Sequence, residues 1–148
     1  MKHLRFAPWV LVLCLLLSGC SMGKGSSKPA TVLEKLSTAD RIVVSVAPAA
    51  DPAAVSPAKD CTQAEDVETL AAALGDLSLG EETETIYGGV TEMFLVYAGD
   101  TLLYRIACHG TAGVTVNGTS YTTGKPAEDF RTLYNGLQTP ETSLRLEA

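Results

Sequence analysis

No stretch of this chain approaches the about 20 consecutive apolar residues that a membrane-crossing helix requires. The longest apolar run, residues 6–17, is twelve long and contains Pro8. Basic residues are also scarce. Eleven Lys and Arg face seventeen Asp and Glu, for a net charge of −6, and they form no stripe. Such a chain repels phosphate backbones and bare anionic lipid, so nucleic acid is not an expected partner. Histidine occurs twice, at positions 3 and 109. Glu81, Glu82 and Glu84 lack the spacing and the glycine of a calcium loop. Gly88-Gly89 and Gly110-Thr111-Ala112-Gly113 have the spacing of neither a P-loop nor a dinucleotide fingerprint. Tyr87, Tyr97, Tyr104, Tyr121 and Tyr134 are too dispersed for a stacking platform. No repeat of solenoid period is present. No metal or cofactor is expected from this inventory.

What is present begins at the N-terminus. Lys2 and Arg5 precede the short apolar run, and Leu17-Ser18-Gly19-Cys20 follows it. A positive segment, a short apolar segment and a small-residue region make a secretory signal peptide. The four-residue sequence resembles the lipobox of bacterial lipoproteins. That resemblance implies diacylglyceryl transfer to the Cys20 thiol, cleavage before Cys20, and acylation (palmitate, for instance) of the new amine. Two or more acyl chains anchor stably where one does so marginally. The expected location is the extracytoplasmic face of the cell membrane, with the bilayer itself as a partner through Cys20.

Cleavage leaves 129 residues (148 − 19). Loss of Lys2 and Arg5 leaves a side-chain charge of −8 (9 − 17). One small domain and a tether fit this length. The expected division is a signal peptide at 1–19, a lipidated tether at 20–40, one domain at 41–138 and a loose tail at 139–148. Cys14 leaves with the signal, so Cys61 and Cys108 are the remaining thiols. Two cysteines in an exported chain most simply form a disulfide, the alternative being two buried free thiols. The bond would close a 48-residue loop, worth roughly 4 kcal/mol in the chain-entropy account.

Ile42-Val43-Val44-Ser45-Val46 reads as a strand, and residues 48–57, with three prolines, as a loop. Thr62 and Glu65 fit a capping box opening a helix over 62–74. Val67, Leu70, Ala71 and Leu74 share one face of that helix, and Gly75 stops it. Residues 80–84 read as an exposed acidic loop. Residues 92–97 and 102–108 form one expected hairpin. Residues 114–116 and 119–122 form another around Asn117-Gly118, because both turn residues accept positive φ. Phe130, Leu133, Tyr134 and Leu137 give helical spacing over 127–137, with Pro126, Glu128 and Asp129 suited to its first turn. The order β-α-β-β-β-β-α predicts an α+β fold, with two helices on one face of an antiparallel sheet of four to five strands. Loosely, this order and the hairpin Val114-x-Val116-Asn117-Gly118-x-x-Tyr121 are similar to those of many small bacterial lipoproteins.

Catalysis has little to work with. Cys108 and His109 are adjacent, so on a strand they point to opposite faces. A Cys61–His109 pair needs a free thiol. The sequence therefore favours a membrane-tethered, non-catalytic domain that binds an envelope protein, peptide or other envelope component. The alternatives are an envelope stress or sensing accessory, an inhibitor of an exported enzyme and, last, a thiol enzyme.

Overall fold

The two hairpins read from the sequence lie side by side in the sheet. In the computed structural model, which describes residues 32–85, 87–123 and 130–146, β4 (Glu92–Ala98) and β5 (Thr101–Cys108) make the first hairpin. The second joins β6 (Val114–Val116) to β7 (Thr119–Thr123). Asn117 and Gly118 take φ of 49° and 86°, as a tight hairpin turn requires. Asn117 does more than turn. Its Oδ1 accepts from the Arg105 amide at 2.8 Å, and its Nδ2 donates to the Leu103 carbonyl at 3.1 Å. Its own amide donates to the Arg105 carbonyl at 2.9 Å. One side chain thus continues the ladder between β5 and β6 beyond its last residue pair.

Around this meander the sheet grows outward on both sides. The strands β1 (Arg41–Ser45), β2 (Val55–Cys61), β3 (Leu79–Thr83) and β8 (Thr142–Arg145) complete the order β3-β7-β6-β5-β4-β1-β2-β8, with every neighbouring pair antiparallel. The α+β class and the two helices match expectation. The sheet has eight described strands rather than four to five, because three segments read as irregular are paired.

Each has a physical reason. Residues 55–57 belong to β2 despite Pro57. The β1 ladder covers only Lys59 to Cys61 of β2, so the missing proline N–H removes nothing from it. Beyond that point β2 pairs only with β8, a position where proline is tolerated. Acidic residues 79–83 form β3, an edge strand anchored by buried Leu79 and bulged between Leu79 and Glu82. Glutamates and a bulge both discourage pairing with a further strand. Gly80 suits the close approach there, since a Cβ would press on the Thr122 side chain and carbonyl. The segment expected as a loose tail supplies β8, and Leu146 beyond it is buried.

Residues expected as the end of the tether also join the fold. Residues Glu34–Thr38 form a 3-10 turn whose Leu36 enters the core, and the Lys35 amide donates to Tyr104 Oη at 2.9 Å. Residues 20–31 lie outside the described residues.

The helices α1 (Ala64–Gly75) and α2 (Phe130–Gly136) cover one sheet face. The expected stripe holds. Val67, Leu70 and Leu74 are buried, with Ala71 packed against them. Helix α1 starts later than the capping box predicts, with Gln63 at the N-cap and no side-chain cap. In α2, Phe130 and Tyr134 are buried, Leu137 follows in the core, and Leu133 packs beside them. Pro126, Glu128 and Asp129 lie outside the described residues. Phe130 meets Phe94 of β4 edge to face at 4.9 Å between ring centres. A second, smaller cluster occupies the other face: Val43, Ala58, Met93, Leu95 and Leu146, flanked by Tyr97, Leu102, Ala107 and Leu144. Neither helix contributes to it.

Leu70 has no exposed surface, so Leu70→Ala should lower stability by about 2–5 kcal/mol in urea unfolding followed by circular dichroism. Asn117→Gly tests the turn. Glycine suits the positive φ but loses both side-chain bonds to β5, so a loss of about 1 kcal/mol is expected; unchanged stability would show that those bonds contribute nothing.

Candidate functional site

The two cysteines expected to pair do not meet. Cys61 stands opposite Ile42 of β1, and Ile42 stands opposite Val96 of β4. Cys108 stands opposite Glu92, at the other end of β4. Strands β2 and β5 are thus three strand spacings apart, roughly 14 Å, before the offset along the strands is added. A disulfide needs Cα atoms within about 7 Å. Both thiols are free and fully buried. The expectation failed because a count of cysteines carries no strand order, and β1 and β4 lie between the strands that bear them.

The freed thiols are poor nucleophiles. Burial, and secondarily the charge of Glu92, push the Cys108 thiol up to about 12. Burial also raises Cys61, with Asp66 and Asp60 adding to it, against the opposing effects of Thr139 and Lys59. Reactive cysteines need the thiolate and access, and these have neither near neutral pH. His109 does not approach Cys61. Its Nε2 lies 3.0 Å from Thr115 Oγ1, and its ring centre lies 5.4 Å from that of Tyr87. Glu81 and Glu82 lie on β3 and Glu84 just beyond it, all three exposed. Among the described residues no three His, Cys, Asp or Glu side chains group as metal ligands. No described helix is long and apolar enough to cross a membrane. Cys20 falls outside the described residues.

Sequence reading missed a buried polar cluster at the sheet's β2 side. Asp66, in the first turn of α1, is 3 % exposed. Its Oδ1 accepts from the Gln138 amide at 3.0 Å. Its Oδ2 accepts from the Thr139 amide at 2.8 Å and the Thr139 hydroxyl at 2.5 Å. Burial alone would raise this carboxyl. The Thr139 hydroxyl, the two amides and the charge of Lys59 together outweigh it and hold Asp66 below the usual carboxylate range. Lys59 of β2 is also buried. Its Nζ donates to the carbonyls of Tyr134 at 2.8 Å and Leu137 at 3.0 Å, satisfying the end of α2, and lies over the Tyr134 ring. Tyr134 Oη donates to Glu141 at 2.9 Å. Burial, with Glu141 beside it, raises the Tyr134 phenol. Every polar group here is spent on neighbouring chain. The cluster is a latch holding residues 137–141 against α1 and β2. Asp66 looked from sequence like a charge complementing the helix dipole; nothing local foretold a partner 72 residues away.

One of the concave features among the described residues lies on the other face. A groove of about 390 Å³ runs between the 48–54 loop, β4, β5 and the C-terminal strand. Pro48, Pro52, Val90, Met93 and Leu146 give it apolar walls. Val90 is 37 % exposed, high for a large apolar side chain in this fold. Its polar members are Asp51, Ser56 and Arg105. Asp51 Oδ1 accepts from the Ala53 amide at 3.0 Å, and Ser56 Oγ accepts from the Ala49 amide at 2.9 Å, so both shape the loop. Its volume falls within the roughly 300–1,000 Å³ range of small-molecule sites. No protein-family model, curated protein or solved structure matches this chain.

Two outcomes follow. In non-reducing conditions the native protein should resist thiol reagents at Cys61 and Cys108, and both should react once it is unfolded without reductant. The second concerns pH. Because Asp66 is held low in the folded state, its contribution is full above the ordinary carboxylate pKa near about 3.9. It is lost as pH falls through the lower folded value. Asp66→Asn should cost about 1–3 kcal/mol at neutral pH and flatten the acid limb of stability measured by urea titration between about pH 2 and 6.

Proposed function

We propose that this chain is an exported lipoprotein, held at the extracytoplasmic membrane face by lipid on Cys20, whose domain is a non-catalytic binding module. The membrane part of the reading rests on Leu17-Ser18-Gly19-Cys20 behind a short apolar segment. The binding part rests on the groove. It combines apolar walls with few polar groups, on a sheet face that the helices leave to loops and strands. The full burial of Cys61 and Cys108 and the engagement of Asp66 with residues 138 and 139 make a thiol enzyme the weaker reading. The acidic net charge suits solubility at an envelope surface and disfavours nucleic acid.

The anchor is tested by metabolic labelling with an alkynyl palmitate analogue. The wild-type chain should be labelled and shortened by 19 residues, the length that precedes Cys20. Cys20→Ala should lose the label and accumulate as precursor. Undiminished labelling of that variant would sink the lipid assignment.

A further inference from the structure

We infer that the groove takes a monocarboxylate carrying a short apolar chain, with Arg105 as the residue that receives the carboxylate. This rests on the reading of the groove as a binding site and names its ligand class.

Two arginines of the sheet supply the contrast. Arg41 of β1 is engaged: its Nε and a terminal amine reach the two oxygens of Asp60 at 2.7 and 2.8 Å. Arg105 of β5 lines the groove and is half-buried, yet it makes no ion pair or side-chain hydrogen bond with any described residue. It stands opposite Leu95 in the ladder and so shares the face of the second apolar cluster. Its backbone is fixed from both sides, with its amide on Asn117 Oδ1 and its carbonyl receiving the Asn117 amide. A guanidinium on a rigid strand presents a planar fork that matches a carboxylate with two parallel bonds.

The rest of the lining sets the charge and body of the ligand. Arg105 is the single cation among the lining residues, and Asp51 stands at the same groove. The chain is also acidic overall. One guanidinium offers one bidentate partner, and with Asp51 beside it a second negative charge on the ligand would meet no cation in the lining, which disfavours a phosphate dianion. Met93, Val90, Leu146, Pro48 and Pro52 offer the tail a surface with no hydrogen-bonding demand. A free short-chain acid and the C-terminus of an apolar peptide share this chemistry.

Hexanoate is the first probe, titrated into the full ¹⁵N-labelled chain in a non-ionic detergent and followed at the Arg105 Nε–Hε and the amides of Val90 and Met93. Saturable shifts are expected. Hexanamide, equal in shape but neutral, should bind about tenfold or more weakly. Arg105→Gln should weaken hexanoate by a similar factor and erase its advantage over the amide. Arg105→Lys, which keeps charge but not the fork, should fall between. Val-Leu with a free or an amidated C-terminus runs in parallel, and whichever acid binds more tightly identifies the source. Equal affinity for acid and amide, or hexanoate binding unaltered in Arg105→Gln, would overturn the carboxylate assignment while leaving the groove as a site. No shift at Val90 and Met93 with any of the four compounds would overturn both.

Discussion

Asp66 joins three parts of the chain that are distant in sequence. It sits on α1, accepts bonds from residues 138 and 139, and lies within electrostatic reach of Lys59 on β2. Buried charges are tolerable only when paired or fully bonded, and here each charge is satisfied by the other's surroundings. Asp66 takes amides and a hydroxyl, and Lys59 takes the two carbonyls ending α2. The path of the chain from α2 to β8 follows from this constraint. That path delivers β8 to the outer side of β2 and brings Leu144 and Leu146 to the second apolar cluster. Leu146 is also a wall of the groove. A carboxylate on the helical side therefore helps to define a concavity on the opposite side.

The two faces of the sheet thus serve different ends. The helical face holds the larger core, including both thiols, in an environment where neither ionises near neutral pH. The other face is bounded by strands and a proline-rich loop whose turns are closed by Asp51 and Ser56. Strand-borne residues such as Met93 and Arg105 have fixed backbone positions, which favours precise presentation of a recognition group.

Legibility in the sequence followed the range of the interactions involved. The α1 stripe Val67, Leu70, Ala71, Leu74 and the Asn117-Gly118 hairpin were readable because periodicity and turn chemistry are local. β2, β3 and β8 were not, because their strand character comes from pairing. Pro57 and the glutamates of β3 have poor strand propensity, yet each sits where a partner lies on one side only. The cysteine pairing failed for the same reason, since insertion of β1 between β2 and β4 is a long-range fact. For the candidate site, Arg105 and Met93 were visible only as strand residues. The proline-rich segment that walls the groove was read correctly as a loop up to residue 54, without any sign of which face it would border. The buried roles of Lys59 and Asp66 left no local trace at all.

The strand order also sets a schedule. Strands β4 to β7 meet through short turns, so their pairing closes small loops and can form early. The pairing of β2 with β8 joins Val55 to Arg145, and the loop it closes is among the largest the chain allows. Contacts of such sequence separation slow folding, because their entropy is lost before they return any stabilisation. The meander is thus the natural nucleus and β8 the last strand to arrive. Until it does, the outer edge of β2 is an open template for another chain, so the last strand to dock also covers a route to misassembly.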